Sequence, residues 1–406
     1  MDTVSLPMKI TTFLFPFILV SFACILEYLH WKIVLIVYIS YCIYANYYSK
    51  SVFFFNQTKR NQVILSSTKY LKETNFKPYF LLPTHFLQTL FFPFISKVDQ
   101  KLNYIIEKTN DFGSSISYVT LQSISKDTFS TNNSPFLILL PGITGDESDA
   151  YINNMAYEGL KNNYNVIIYN NRLLSDEIVL EKGKRLDLVE EFDSTLSYIE
   201  KKFPNRKIYA IGFSYGANKL LNFLGLKNIN KEGKNRILAG VSVANLFHMP
   251  TCQKYLYNTI YDNLLLFFMQ KKLRMNYDRI KIYEKDFNLE IDRALKVSCV
   301  REYDELITSR ILGFKSADDY YQNISCVPNI PNIQVPTLCI NSLDDGITTS
   351  KSIPYKDIMQ NDNLILLCTD RGGHLVWMDN KYLWKLNQWI NQPVIDYLNT
   401  IEKLNL

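Results

Sequence analysis

Residues 212 to 216 read Gly-Phe-Ser-Tyr-Gly, and they join an apolar run to a stretch with helical spacing. The run, residues 207 to 214 (KIYAIGFS), has the length and composition of a buried strand. Residues 217 to 226 then read as helix. In that setting a G-x-S-x-G pentad makes a sharp strand-to-helix turn. Strained backbone angles fall on the serine, and the glycines on either side avoid clashes in the turn. The Ser214 hydroxyl is thereby expected at the carboxyl end of a strand, at the foot of a helix N-terminus. Five letters alone recur by chance in many chains. Between a strand and a helix they mark a candidate nucleophile.

The surrounding rhythm is consistent with that turn. Residues 135 to 142 (PFLILLPG), 165 to 171 (NVIIYNN), 238 to 245 (LAGVSVAN), 335 to 341 (VPTLCIN) and 363 to 368 (NLILLC) are short apolar runs. Such runs are expected of parallel strands buried on both faces. SISYVTLQSI, 115 to 124, alternates as a strand does. Residues 149 to 163 and 186 to 203 have helical spacing between runs, the second with Leu188, Phe192, Leu196, Ile199 and Phe203 apolar. Strands alternating with helices predict an α/β fold, a mostly parallel central sheet with helices on both faces. Residues 248 to 325 break the rhythm. They are helical in pattern and rich in Leu, Phe and Tyr, and they fall between two strands, so they predict a helical cap over the active site.

A serine hydroxyl is a poor nucleophile near neutral pH and needs a base, which in turn needs an orienting carboxylate. The chain has four histidines. His30 lies in an apolar amino-terminal stretch, His85 precedes the predicted sheet, and His248 opens the predicted cap. His374 follows a strand in the polar loop Asp370-Arg371-Gly372-Gly373-His374. The α/β-hydrolase order is serine, acid, histidine, and His374 alone fits it. The acid is expected after the preceding strand, in Ser342-Leu343-Asp344-Asp345-Gly346. Asp345 begins the turn and is the favoured acid, with Asp344 the alternative and one of the two a turn cap. Two backbone donors are needed for an oxyanion. Tyr215 N–H follows the nucleophile, and Ile143 N–H lies in the early loop Pro141-Gly142-Ile143-Thr144-Gly145. His374 and Asp379 also match H-x4-D, a weak acyltransferase signal.

The amino terminus reads differently. Residues 10 to 29 are apolar with the single charge Glu27, and residues 33 to 48 are nearly all apolar or tyrosine. A bilayer-spanning helix needs about 20 apolar residues. The first stretch is expected to be one membrane helix, or both stretches a helical hairpin. The first is too long, and too bulky after it, for a cleaved signal peptide. Lys50, Lys59 and Arg60 follow the apolar region and only Lys9 precedes it, which favours a cytosolic body. Residues 51 to 110 are expected to connect this anchor, at 1 to 50, to a catalytic domain at 111 to 406.

Bulk properties exclude more than they assign. Charged residues are 20% of the chain, the formal net charge is +5, and no basic tract carries interleaved aromatics. Nucleic acid is therefore not an expected partner. The seven cysteines are scattered with no C-x-x-C, so free thiols are expected rather than a disulfide framework or a zinc site. Asn56, Asn132 and Asn323 open N-x-S/T triplets, which are frequent in a chain rich in asparagine.

Six pieces resemble, in order, the membrane-anchored α/β-hydrolase-domain lipid hydrolases, a group that includes the yeast medium-chain ethyl-ester synthases/esterases. They are HFLQT (85 to 89), LLPGITG (139 to 145), GFSYGANKLLNFLG (212 to 225), DDYYQNIS (318 to 325), INSLDDGI (340 to 347) and GGHLVW (372 to 377). The resemblance implies a triad on Ser214, Asp345 and His374, an N-terminal anchor in the endoplasmic reticulum or another endomembrane, and acyl-ester or phospholipid substrates. No metal or organic cofactor is expected. Asn171-Arg172-Leu173 and Gly346 depart from the usual family pattern without touching the proposed catalytic groups. An acyltransferase using the same triad, and a non-catalytic membrane protein of the same fold, are the rival readings.

Overall fold

The computed structural model describes residues 31–72, 76–91, 102–109, 115–120, 133–170, 188–382 and 385–406. Nine strands form one sheet: β1 (Ser51–Phe55), β2 (Asn103–Lys108), β3 (Ser115–Thr120), β4 (Phe136–Leu140), β5 (Asn165–Asn170), β6 (Ile208–Phe213), β7 (Ala239–Val243), β8 (Thr337–Ser342) and β9 (Leu364–Thr369). Their spatial order is β1-β9-β8-β7-β6-β4-β5-β3-β2. The six strands from β4 to β9 pair in parallel. Antiparallel strands close both edges, β1 on β9 and the β3–β2 pair on β5.

The short apolar runs become these central strands because both of their faces are covered. Along β4, Phe136, Ile138 and Leu140 enter one core cluster, and Leu137 and Leu139 enter the other. This is the period-two alternation of a strand. The helices that bear on the argument are α1 (Trp31–Tyr47), α2 (His85–Leu90), α3 (Ala150–Lys161), α4 (Leu188–Lys202), α5 (Tyr215–Leu226), α6 (Met249–Leu256), α7 (Ile260–Met275), α8 (Ala317–Ile324) and α9 (Asn391–Leu404). Helices α4 and α5 cover the face that holds Phe136, and α3 and α9 cover the other. The result is the α/β-hydrolase arrangement. Between β7 and β8, residues 249–324 are mainly helical, and their apolar core takes in Tyr215, the residue after Ser214. The cap is thus packed onto the turn that carries the serine.

One expectation about the first hundred residues differs from the structure. Residues 51–110, expected as a connector, supply both edge strands of the sheet, β1 and β2, as well as α2. Edge strands lack the two-sided burial that makes an unbroken apolar run recognisable, which explains the difference. The second apolar stretch, expected as half of a possible membrane hairpin, is α1, described from Trp31 to Tyr47. Among the described residues no helix is long and apolar enough to cross a membrane. α1 docks on the body: Cys42 and Ala45 are buried, and the Tyr38 hydroxyl donates to Leu81 O at 2.6 Å. The stretch at 10 to 29, with Lys9 and His30 beside it, lies outside the described residues, as do Asn132 and Asn171-Arg172-Leu173.

Candidate active site

β6 ends at Phe213 and α5 begins at Tyr215, so Ser214 is itself the turn. Its φ of 52° and ψ of −114° are angles that a side-chain-bearing residue holds only when its surroundings impose them. Ser214 N–H donates to Val243 O at 2.8 Å, which ties the turn to β7. Ala217 and Asn218 N–H groups donate to Ser214 O at 3.0 and 3.1 Å. The flanking glycines are steric requirements. A Cβ on Gly216 would lie 2.1 Å from Leu140 O, and one on Gly212 would lie 2.4 Å from Gly216 O.

The structure brings together the serine, the histidine and the favoured acid. His374 Nε2 is 2.9 Å from Ser214 Oγ, and its Nδ1 is 2.8 Å from Asp345 Oδ2. Asp345 is buried and firmly held. Its Oδ1 accepts from Ile347 and Thr348 N–H at 2.7 and 2.9 Å, and its Oδ2 accepts from the Thr348 hydroxyl at 2.5 Å. With Nδ1 against a carboxylate, the neutral ring carries its proton there, and Nε2 presents a lone pair to the serine.

Tyr215 opens α5, so its N–H has no acceptor within the helix. Ile143 sits in the loop after β4. A Cβ on Gly142 would be 3.6 Å from Ser214 Cβ, so this loop lies against the serine. The loop is held from α3, where the Tyr151 hydroxyl accepts from Gly142 N–H at 3.0 Å. Ser214, His374, Ile143 and Tyr215 all line one cavity of about 220 Å³, roofed by cap residues that include Met249, Leu256, Leu265 and Phe268. The setting offers a hydroxyl with a base beside it, amides at the same mouth, and an apolar recess. That combination suits acyl transfer from an ester with a hydrocarbon tail.

The alternative acid, Asp344, has a different partner. Its Oδ2 is 3.6 Å from His85 Nδ1, and its Oδ1 accepts from the Ser342 hydroxyl at 2.5 Å and from Gly373 N–H at 3.0 Å. Burial raises the Asp344 carboxyl. The adjacent His85, with the Ser342 and Gly373 donors, outweighs burial and holds it below the ordinary carboxylate range. His85 therefore acts on the loop that carries His374, although its chain position placed it before the sheet. Gln88, one turn later, ties the segment before α2 to Met378, just beyond the same loop. Its Nε2 donates to Leu82 O at 3.0 Å, and its Oε1 accepts from Met378 N–H at 3.1 Å. Arg371 donates to Pro83 O at 3.1 Å and to the Tyr41 hydroxyl at 3.2 Å. The loop needs such bracing, because Leu375 (φ 61°) and Trp377 (φ 40°) both sit in the left-handed region. In the sequence, the only sign of this brace was HFLQT as one of the matching pieces.

The remaining sequence candidates fall elsewhere. His248 precedes α6, with Nδ1 2.7 Å from the Thr251 hydroxyl. Asp379 of the H-x4-D pattern lies on a hairpin strand, Met378–Tyr382, opposite Asn387, and is not part of the cavity wall. The described cysteines are buried and free. Among the described residues no group of three or more His, Cys, Asp or Glu side chains is placed to share a metal ion.

No family model matches the chain. It is 30% identical over 277 residues to the embryogenesis-associated protein EMB8 of Picea glauca, across 67% of this chain and 59% of that protein. It is 28% identical over 305 residues to the human phospholipase ABHD3, across 72% of this chain and 71% of that one. It is 28% identical over 278 residues to a monoacylglycerol lipase of Saccharomyces cerevisiae, across 65% of this chain and 59% of that one. The chain thus spans about three fifths of the length of two of these relatives. The chain is thus similar to α/β-hydrolase-domain proteins named as a phospholipase and a monoacylglycerol lipase, which are carboxylic ester hydrolases.

Proposed function

We propose that this chain is a serine hydrolase that cleaves carboxylic esters of lipids, such as medium-chain esters, monoacylglycerol or glycerophospholipids. The observation that carries the reading is the unbroken relay from Asp345 through His374 to Ser214, at the mouth of an apolar cavity. Ser214 Oγ attacks the acyl carbonyl carbon while His374 Nε2 takes its proton. The carbonyl oxygen becomes an oxyanion, to which the Ile143 and Tyr215 N–H groups donate. The ester C–O bond then breaks, and the proton on His374 passes to the leaving alcohol. Water, deprotonated by His374, attacks the acyl-serine, releases the acid and restores the hydroxyl. Asp345 holds the ring in register and stabilises its cationic form.

A fluorophosphonate probe tests the reading. Wild type should label and should hydrolyse a lipid-ester panel, and Ser214→Ala should do neither. Equal labelling of both proteins, or no turnover on any ester, overturns it. Added ethanol or lysolipid in the same assay measures how far the acyl group passes to an alcohol instead of water.

We also infer that the protein works at a lipid surface reached through its amino-terminal segment. Supporting this, α1 exposes Ile36, Ile43 and Tyr47 on the side away from its docking face, and Leu90, on the cavity wall, is itself half exposed. Ile36→Asp with Ile43→Asp should weaken co-flotation with phosphatidylcholine vesicles while leaving turnover of a short soluble ester intact. Unchanged flotation of the full chain carrying both changes refutes this use of α1.

A further inference from the structure

A second chamber of about 110 Å³ adjoins the catalytic cavity. Four residues line both: Ile143, Thr144, Tyr215 and Tyr320. Ile143 and Thr144 belong to the loop beside the serine, and Tyr215 follows the serine directly, so the turn that positions Ser214 also positions Tyr215. Tyr320 is different. It reaches the wall from α8 in the cap, and its hydroxyl lies 3.4 Å from that of Tyr215. We propose that the Tyr215–Tyr320 pair is the partition that sets how long an acyl chain the catalytic cavity accepts. The proposal rests on the lipid-esterase reading of the same site.

Three observations support it. First, the partition is firmly built. Tyr320 is 1% exposed, and its ring packs on Phe314 and Tyr321 at centroid distances of 5.5 and 5.4 Å. The neighbouring Tyr321 hydroxyl donates to Asp304 Oδ2 at 2.7 Å, and Asp304 starts a π-helical turn (Asp304–Thr308). Such turns interrupt the regular helical hydrogen bonds and often lie at functional sites. Second, the chamber beyond the wall suits hydrocarbon. Met269, Leu273, Ile280, Ile307 and Ile311 line it. The lysines that also line it face carboxylates, Lys272 with Asp146 at 2.7 Å and Lys219 with Glu191 at 4.0 Å. An anionic head group would have to compete with those pairs, whereas an alkyl tail would not. Third, DDYYQNIS, one of the sequence pieces that mark the family resemblance, has no part in the triad. Its two tyrosines supply the wall and the tether of the wall.

A chain that outgrows the first cavity therefore meets two phenol rings, with unused apolar space behind them. Removing the Tyr320 ring should join the two chambers. Affinity for saturated fatty acids of graded length, measured by isothermal titration calorimetry, reads the wall without requiring turnover. Hydrolysis of p-nitrophenyl esters of the same lengths reads it during turnover. In wild type each methylene that finds apolar space should add about fourfold in affinity, up to a length at which the gain stops. Tyr320→Val should move that break outward by about two carbons or more, worth on the order of tenfold for the longer acids. Tyr320→Phe keeps the ring and should keep the wild-type break. Adding Leu273→Trp to Tyr320→Val fills the second chamber and should restore it.

Two results overturn the proposal. One is a Tyr320→Val protein that melts as cooperatively as wild type and keeps the wild-type break. The other is a Leu273→Trp protein, otherwise wild type, whose break moves to shorter acids, since the second chamber would then already be in use. The latter stands even if Tyr320→Val does not fold. Should the wild type hydrolyse no ester while its fatty-acid break moves as described, the esterase reading fails and the partition stands.

Discussion

Asp344 and Asp345 are adjacent carboxylates on one turn, with side chains 12% and 0% exposed, and each faces a different histidine. Asp345 meets His374 at 2.8 Å, along the line that leads to Ser214. Asp344 meets His85 at 3.6 Å and the backbone of Gly373, the residue before His374. In the proposed reading one aspartate orients the base, and the other holds the loop on which the base sits. Residue type and burial therefore do not separate a catalytic carboxylate from a bracing one. The partner, and where that partner leads, does.

Breaking the Asp345 side should have the largest effect. Asp345→Asn keeps the shape but removes the charge that sets the ring's tautomer, so kcat should fall by about 10³–10⁴, as in other triads. Steady-state kinetics on a soluble ester checks this, and a loss below about tenfold would mean that Asp345 does not orient the base.

A third buried carboxylate, Asp304 in the cavity wall, sharpens the contrast through its sign. Burial pushes it up to about 6 against the lowering pull of the Thr308 and Tyr321 hydroxyls, and the nearby Asp262 adds to the rise. Its folded form holds a proton that the unfolded chain has released, so its favourable contribution is present at low pH and lost as pH rises from about 4 through 6. Asp304→Asn should gain on wild type by up to ~3 kcal/mol between pH 4 and pH 8. Thermal melts of both proteins across that range provide the check.

Asp344 should behave in the opposite way. Its carboxyl is held low, so its contribution is present above the unfolded value near 4 and lost as pH falls through the lower folded value. Asp344→Asn should cost roughly 1–3 kcal/mol at neutral pH, and this cost should shrink below about pH 4. Its kcat should fall by about tenfold, far less than for Asp345→Asn, because the relay itself remains. Equal kinetic losses in the two variants would erase the distinction.

The smallest effect is expected at His85. His85→Gln keeps a hydrogen-bonding group beside Asp344 and should cost about 1 kcal/mol of stability, read as a shift in melting temperature with KM unchanged.

Legibility in the sequence followed the same division. The six parallel strands were readable because burial on both faces requires an unbroken apolar run, as in FLILL at β4 or LILLCT at β9. β1 and β2 were not, because an edge strand is half exposed and its pairing is set by a distant neighbour, Ser51 to Thr369 in the case of β1. The serine turn was readable because its strain must be relieved locally, by Gly212 and Gly216. The docking of α1 was not, because the same apolar residues suit a bilayer or a protein surface.

By itself, then, the sequence determined the features whose causes lie within a few residues: the buried runs, the glycine-flanked serine, and the polar loops that offer an acid and a histidine. Only the tertiary structure decided which aspartate faces which histidine, that His85 bears on the base loop and Gln88 on Met378 just beyond it, and that Tyr320 meets Tyr215 between two chambers. These pairings join residues from 29 to 290 positions apart. Over such separations contact is set by how the sheet and cap pack together, and no local pattern encodes it.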